Sequence, residues 1–362
     1  MSVVLTRRTI LAGGAAATAT LGLNRRLLAA EPIKAGWVYV GPVGDFGYSY
    51  RHDVGRKAVE EALGDKVKTT FVENVSEGPD AERVIRELAS RGQDIVFTTS
   101  FGFMNPTIRV AKQFPKVKFE HATGYQKAAN VGIYNIRFYE GRAVLGTIAG
   151  HMTKSGVVGY VASVPIPEVA MGVNAFTLAA QKVRPDIQVK VVWVNAWYDP
   201  GKESDAAKTL IDQGADIISQ HTDSPAPLQV AENRGVYGFG QASDMRKFAP
   251  KAQLTAIVDN WNDYYIGRVK AVMDGSWKPD DVWGGIASGM CEMAPYANMP
   301  DNVVKAADEV KNGIAAGKLH PFDGPVKNQA GKEIIPAGQH ASDEQLLKMD
   351  WFVQGVQGKL GG

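Results

Sequence analysis

Short apolar segments alternate with amphipathic helical segments along the chain from residue 33 onward. The first apolar segment carries Trp37, Val38, Tyr39 and Val40 in succession, a run typical of a buried strand. Strict alternation predicts a parallel sheet, because parallel strands are joined by crossover helices. In the first part of the chain we expect strands at residues 33–40, 69–74, 94–99 and 117–121, and helices at 49–63, 80–91 and 106–113.

The same alternation resumes in the middle of the chain. We expect helices at residues 141–152, 168–183 and 203–213 and after Pro227, and strands at 157–162, 189–194, 216–219 and 236–240. A second doubly wound sheet is the simplest interpretation. Two such sheets in one chain predict an α/β protein whose two lobes close over a ligand.

The amino terminus has the pattern of an export signal. Arg7 and Arg8 precede a short apolar run, residues 9–23, and small residues end the segment at positions 29 and 30. Paired arginines before a weakly hydrophobic run favour the twin-arginine route. An ordinary secretory signal and a buried N-terminal helix are the alternatives. We expect residues 1–30 to be the signal and the mature protein to be soluble in the periplasm.

The charge balance and the cysteine content limit the possible functions of the protein. The chain has 40 Lys and Arg against 38 Asp and Glu, and four of the arginines lie in the first 30 residues, which leaves 36 basic against 38 acidic residues. A surface of that balance does not fit a nucleic-acid partner. The only cysteine of the sequence, Cys291, cannot form an internal disulfide and is expected in the apolar core.

A loop with two adjacent aromatic residues indicates a ligand site. The strand expected at 189–194 runs into Trp197 and Tyr198, and Asp199 can cap the helix that follows Pro200 and Gly201. In an open α/β sheet, ligands bind at the carboxyl ends of the strands. The two rings offer a flat apolar surface there, so we expect a small planar ligand.

Six short segments, in order along the chain, resemble one family. They are residues 44–49 (Gly-Asp-Phe-Gly-Tyr-Ser), 114–119 (Phe-Pro-Lys-Val-Lys-Phe), 137–141 (Arg-Phe-Tyr-Glu-Gly), 197–202 (Trp-Tyr-Asp-Pro-Gly-Lys), 214–218 (Gly-Ala-Asp-Ile-Ile) and 243–244 (Ser-Asp). Each is weak alone, but together they resemble the basic membrane protein family of ABC-transporter substrate-binding proteins, which includes bacterial purine nucleoside receptors.

The resemblance implies the type I periplasmic-binding-protein fold, with two Rossmann-like lobes, parallel sheets and a three-strand hinge. The crossovers would fall near residues 136–139, 258–261 and 282–284. The first lobe would comprise residues 31–137 and 261–282. The second would comprise residues 138–260 and 283–362, with a C-terminal elaboration from residue 296.

The resemblance also implies a ligand chemistry. The nucleoside receptors hold the base between two phenylalanines, and the matching positions here are Tyr48 and Trp197. The family asparagine after the first aromatic residue is Ser49 in this chain. An aspartate and a lysine that contact ribose are replaced by Ala242 and Asp259. Retained aromatic residues without the ribose contacts imply a free purine base such as adenine.

Further candidate contacts come from loops that follow strands. Phe46 is the alternative to Tyr48 as the first aromatic residue, because the register of that loop is uncertain by a residue or two. The remaining candidates are Asp45, Ser100, Phe101, Glu168, Asn195, Asp223, Asp244 and Asp259. The structural alternatives are a turn role for Asp45, core packing for Phe101, and contacts at the lobe junction for the last two.

These features predict a periplasmic receptor, with no catalytic residues, that delivers a purine base to an ABC permease. We expect a monomer. His221 and Asp223 have no third ligand at metal-binding spacing, and no complete dinucleotide fingerprint is present, so no metal or cofactor is expected. A nucleoside receptor or a ligand sensor of the same fold are alternatives, and an exported nucleoside hydrolase is a further one.

Overall fold

The computed structural model describes residues 31–44 and 46–361. The predicted export signal at residues 1–30 lies outside the described residues, as do Asp45 and Gly362. The strands are β1 (Ile33–Val38), β2 (Val67–Val72), β3 (Ile95–Thr98), β4 (Lys118–Ala122), β5 (Val131–Ile136), β6 (Val157–Ala162), β7 (Gln188–Trp193), β8 (Ile217–Gln220), β9 (Tyr237–Gly240), β10 (Gln253–Asp259), β11 (Asp281–Gly284), β12 (Cys291–Met293), β13 (Val326–Lys327), β14 (Glu333–Ile335) and β15 (Val356–Gln357).

Helices connect most of these strands. They are α1 (Gly47–Leu63), α2 (Pro79–Ser90), α3 (Met104–Gln113), α4 (Phe138–Met152), α5 (Pro167–Val183), α6 (Pro200–Asp212), α7 (Ala226–Arg234), α8 (Asn262–Met273), α9 (Asp301–Ala315) and α10 (Asp343–Leu347). The predicted N-cap of α6 is present, since the Asp199 carboxylate accepts a hydrogen bond from the Lys202 N–H at 3.1 Å.

The first sheet has the strand order β11-β5-β4-β3-β1-β2, and its paired strands are all parallel. The second has the order β12-β10-β9-β8-β6-β7-β15. It is parallel except at one edge, where β12 runs antiparallel to β10. A smaller hairpin pairs β13 with β14. The α/β class and the two-lobe fold are therefore confirmed, with an antiparallel edge strand that the sequence analysis did not foresee.

Three passages of the chain join the two sheets. Residue 137 leads from β5 to α4, residues 260–261 lead from β10 to α8, and residues 285–290 lead from β11 to β12. Helix α4 packs against α5 and β10, whereas α8 packs against α1 and β1. The third passage falls after the expected residues 282–284, because β11 extends through Gly284 in the first sheet. The lobe boundaries given above stay a prediction.

Strand β5 has no counterpart in the sequence analysis. Gly132 and Asn135 interrupt the apolar run of residues 131–136, so the segment lacks a clear strand pattern. In the fold it lies between β4 and β11, and most of its residues are buried. Cys291 is buried as expected, in the antiparallel edge strand β12.

The C-terminal segment rejoins the second lobe. Strand β15 pairs in parallel with β7 and becomes the outer strand of the second sheet. The Asn174 side chain of α5 donates to the Trp351 carbonyl at 2.8 Å and accepts from the Val353 N–H at 2.9 Å. These buried hydrogen bonds fix the path of the segment across α5 before it reaches the sheet.

Gly146 allows close packing of α4 on α5. A Cβ placed on Gly146 would fall on the Phe176 carbonyl in α5. Replacing Gly146 with Ala should therefore lower the free energy of unfolding by about 1–3 kcal/mol, the usual range for an overpacked core. Urea denaturation of the mature protein measures this.

The matched control is Gly267→Ala in the exposed face of α8, where an added Cβ has no neighbour within 4 Å. There the substitution should be neutral or should stabilise by about 0.5–1 kcal/mol, because Ala favours a helix over Gly. Equal effects at the two positions would contradict the packing argument.

Candidate ligand-binding site

A small cavity lies where the loops after the strands of the two sheets face one another. The lining residues come from both lobes: Val40, Tyr48, Ser100, Phe101, Thr123, Phe138, Glu168, Trp197, His221, Asp223 and Gln241. Six of these were predicted from the sequence: Tyr48, Ser100, Phe101, Glu168, Trp197 and Asp223.

Aromatic rings form much of the wall. Tyr48 in the first turn of α1 packs edge-on against His52, with ring centroids 4.3 Å apart, and also against Trp261 at 6.2 Å. Trp197 follows β7, and its indole N–H donates to the Glu77 carboxylate of the other lobe at 3.2 Å. Phe138 begins α4 and lies edge-on to His221. A flat apolar ligand would find ring surfaces contributed by both lobes.

Asp223 supplies a buried carboxyl group to this cavity. Its backbone N–H donates to the Trp197 carbonyl at 2.9 Å, which ties together the loops after β8 and β7. Burial raises the pKa of Asp223 well above its ordinary value, and nearby Glu203 raises it further, whereas a hydrogen bond from the Tyr48 backbone opposes the shift. The neutral form is therefore favoured, and a neutral carboxyl can both donate and accept a hydrogen bond.

Glu168 and His221 form a second polar pair. The Glu168 carboxylate accepts from the Asn135 side chain of the first lobe at 3.0 Å and lies 3.7 Å from His221 Nε2. Burial lowers the pKa of His221, and the charge of Arg142 lowers it further. The imidazole is therefore neutral near pH 7 and can act as either donor or acceptor. Arg142 also donates to the Gln241 side chain, which fixes the orientation of that amide.

Two of the predicted residues near the first glycine loop do not line the cavity. Phe46 packs edge-on against Phe248 at 5.3 Å, within an apolar cluster of the second lobe. The Ser49 hydroxyl accepts from the Gly41 N–H at 3.1 Å and holds the loop after β1. Asp45 lies outside the described residues. No observation tests these three as ligand contacts.

The other three predicted residues also do not line the cavity. Asn195 is exposed and has a positive φ of 54° in the turn after β7. Asp244 pairs with Arg246 at 3.2 Å and accepts from the Gln253 side chain at 2.7 Å. Asp259 ends β10 and is fully buried, and both of its carboxyl oxygens lack a hydrogen-bond partner among the described residues. Their contact with a ligand stays a prediction.

Five lining residues were not selected from the sequence: Val40, Thr123, Phe138, His221 and Gln241. Val40, Thr123, His221 and Gln241 come within two residues after a strand, and Phe138 follows β5 across the first passage. The rule that ligands meet the carboxyl ends of parallel strands would have indicated them. His221 had been weighed only as a metal ligand.

The lobes touch directly beside the cavity. The Gly47 N–H at the start of α1 donates to the Ser243 hydroxyl of the second lobe at 2.8 Å. A Cβ on Gly47 would lie 2.5 Å from the Asp223 carbonyl, and the φ of Gly47 is +76°.

Two lobes of largely parallel sheets that enclose a small cavity between facing strand ends define a ligand-binding protein of the substrate-binding class.

The family follows from the comparison with known proteins. Residues 33–321 match the model of the Bmp family, described as PnrA-like ABC transporter substrate-binding proteins, and the chain belongs to this family. The resemblance noted in the sequence is therefore confirmed. The family and the fold are those of substrate-binding proteins and not of enzymes.

Two relatives and one solved structure are informative. A purine-binding protein of Brucella abortus (strain 2308) is 59% identical over 332 residues, which cover 92% of this chain and 95% of that protein. A putative ABC transporter glucose-binding protein of Haloferax volcanii is 38% identical over 331 residues, 91% of this chain and 82% of that protein. The solute-binding protein of an Aeropyrum pernix K1 ABC transporter has a TM-score of 0.67 at 18% identity, covering 87% of this chain and 95% of that one, and supports the fold.

Substrate-binding proteins of ABC transporters act outside the cytoplasmic membrane. Among residues 31–44 and 46–361, no helix has the length and apolar character needed to cross a membrane.

Proposed function

We propose that the cavity binds a purine base, adenine in particular, and that the protein presents it to an ABC permease. The observation that carries the proposal is the combination of aromatic rings and a buried carboxyl group. Trp197 and Tyr48 line the cavity from different lobes, and Asp223 lines the same cavity. The purine-binding name of the Brucella abortus relative supports the same ligand class.

The aromatic side chains and the Asp223 carboxyl of the cavity suit a flat ring that has adjacent hydrogen-bond donor and acceptor atoms. Stacking on an aromatic side chain contributes about 0.5–1.5 kcal/mol beyond the area buried. Adenine carries an exocyclic amine beside a ring nitrogen, so one of its edges donates and accepts. A neutral Asp223 carboxyl accepts and donates in the same way, and its raised pKa favours that form.

The residues at the ribose positions argue for a base over a nucleoside. Ala242 is fully buried and has no side-chain donor or acceptor. Asp259 is fully buried and does not line the cavity. A ribose would bring three hydroxyls into the cleft, and each one buried without a partner costs about 1–3 kcal/mol.

Glucose is a second candidate, because the Haloferax volcanii relative is named as a putative glucose-binding protein. Ser100, Thr123, Glu168 and Gln241 could bind hydroxyls, and an aromatic residue can cover the apolar face of a sugar. The aromatic wall from both lobes favours a planar ligand, so glucose serves as the competing ligand in the test.

The test is a side-by-side calorimetric titration of the mature protein with adenine, adenosine and glucose. Adenine should bind at least about tenfold more tightly than adenosine, a difference of about 1.4 kcal/mol. Trp197→Ala should weaken adenine binding by about 2–4 kcal/mol, as removal of a buried aromatic contact does. A preference for adenosine would make the protein a nucleoside receptor, and tight binding of glucose alone would replace the purine proposal.

Asp223 gives the binding a predictable pH dependence. Because adenine is proposed to bind the neutral carboxyl, its affinity should fall as the pH rises through the raised pKa of Asp223. Binding should take up protons, which calorimetry in buffers of different ionisation enthalpy measures between about pH 5 and pH 9. The lowered pKa of His221 moves the protonation of that imidazole toward the acid end of this range.

Asp223→Asn is the matched variant, because an amide also donates and accepts. It should keep the low-pH affinity and lose the pH dependence, whereas Asp223→Leu should weaken binding at every pH. Wild-type affinity that rises with pH would show instead that the ionised carboxylate binds the ligand.

We propose further that the protein is a monomer exported to the periplasm by the twin-arginine route. Replacing Arg7 and Arg8 with Lys should leave precursor in the cytoplasm, because this route reads the arginine pair. Replacing Arg25 and Arg26 with Lys is the control with the same change of residue type. Normal maturation of both variants would indicate the general secretory route.

A further inference from the structure

One carboxylate outside the cavity lining joins both lobes. Glu77 lies in the loop between β2 and α2, and its Oε1 accepts three hydrogen bonds. The donors are the Ser100 hydroxyl at 2.6 Å, the Gly102 N–H at 2.9 Å and the Trp197 indole N–H at 3.2 Å. The first two belong to the same lobe as Glu77. The third crosses the cleft to an aromatic residue that lines the cavity.

The contact between Glu77 and Trp197 lies at the side of each sheet that is remote from the three passages. Strand β2 is the edge of the first sheet opposite β5 and β11, and β7 lies at the side of the second sheet opposite β10 and β12. All three passages leave the strands on the β5, β10 and β11 side. The loops after β2 and β7 are therefore remote from the passages, where a hinge rotation separates the lobes most.

Other polar contacts between the lobes do not share this position. Asn135, which donates to Glu168, lies in β5 only two residues before the first passage. Gly47, which donates to Ser243, follows β1 next to the edge strand β2, but Ser243 follows β9, which lies beside β10. Each of these contacts therefore has one partner on the passage side of its sheet, whereas Glu77 and Trp197 both follow strands on the opposite side.

We propose that Glu77 is a positioning residue that fixes the Trp197 indole and latches the closed cleft, and so controls the rate of ligand release. With its N–H held by Glu77, the indole offers ring carbons and not its polar edge to the cavity. The inference rests on the proposed function only in the choice of ligand for the rate measurement. The latch itself depends on closure of the two lobes.

Gly102 lies so close to the Glu77 carboxylate that only a residue without a side chain fits there. A Cβ on Gly102 would have both carboxylate oxygens of Glu77 within 2.6 Å. Any larger residue at position 102 would therefore displace the carboxylate toward the cleft or away from it.

The experiment measures the adenine dissociation rate by stopped flow in Glu77→Ala, Glu77→Gln and Gly102→Ala. Loss of the hydrogen bond from Trp197 to Glu77, which crosses the cleft, should speed release by about tenfold in Glu77→Ala and in Gly102→Ala. Glu77→Gln should recover part of the slow release, because its amide oxygen still accepts. The association rate should change less than the dissociation rate.

Two controls separate the latch from general loop damage. Asp80→Asn removes an acid from the first turn of α2, where it pairs with Arg83, and should leave the rates unchanged. Trp197→Phe removes the donor and keeps a ring, so Glu77→Ala added to it should speed release less than twofold further. Full additivity of the two substitutions, or an unchanged dissociation rate in Glu77→Ala, would overturn the proposal.

A second readout does not need a known ligand. Spin labels on Lys112→Cys in the first lobe and Lys208→Cys in the second report lobe separation, and buried Cys291 is shielded from labelling. Glu77→Ala and Gly102→Ala should lower the closed fraction relative to Asp80→Asn. If adenine does not bind the wild type, the proposed function fails, and equal distance distributions in all variants would overturn the latch.

Discussion

Three chain passages on one side hold two sheets so that the carboxyl ends of their parallel strands face a common cleft. Loops after parallel strands project beyond the same sheet edge, so each lobe contributes its loops as a group. The hydrogen bond from the Asp223 N–H to the Trp197 carbonyl joins two of these loops in the second lobe. Position in the sheet therefore determines which residues meet at the cavity, and residue type determines what they bind.

Much of the fold could be predicted from the sequence, because alternating strands and helices leave few possible topologies. The predicted strands and helices occur in the predicted order as far as β9, and β6 was predicted at its observed residues. Strand β5 was missed, since its run is broken by Gly132 and Asn135 and its burial comes from β4 and β11 on either side. The antiparallel β12 has only three residues, Cys291–Met293, and nothing in so short a segment indicates its direction.

The candidate site could be predicted only in part, because the sequence shows which loop a residue occupies and not which way its side chain points. Tyr48 and Trp197 both line the cavity, as the family resemblance implied. Phe46, two residues before Tyr48, instead packs on Phe248 about 200 positions away in the sequence. Ser49 binds the backbone of its own loop. Such choices depend on contacts between segments that are distant in sequence.

Closure and binding are linked through the buried carboxyl groups. The closed arrangement places Asp223 and Asp259 where burial raises the pKa of each. At Asp259 the charge of Arg51 opposes the rise in pKa, whereas the charge of Asp223 adds to it. Burying an ionisable group without a partner is unfavourable, so an empty closed cleft carries a cost. A ligand that hydrogen-bonds Asp223 removes part of this cost. We therefore expect ligand binding to favour closure of the lobes. The contact between Glu77 and Trp197 adds stability only once the lobes have closed.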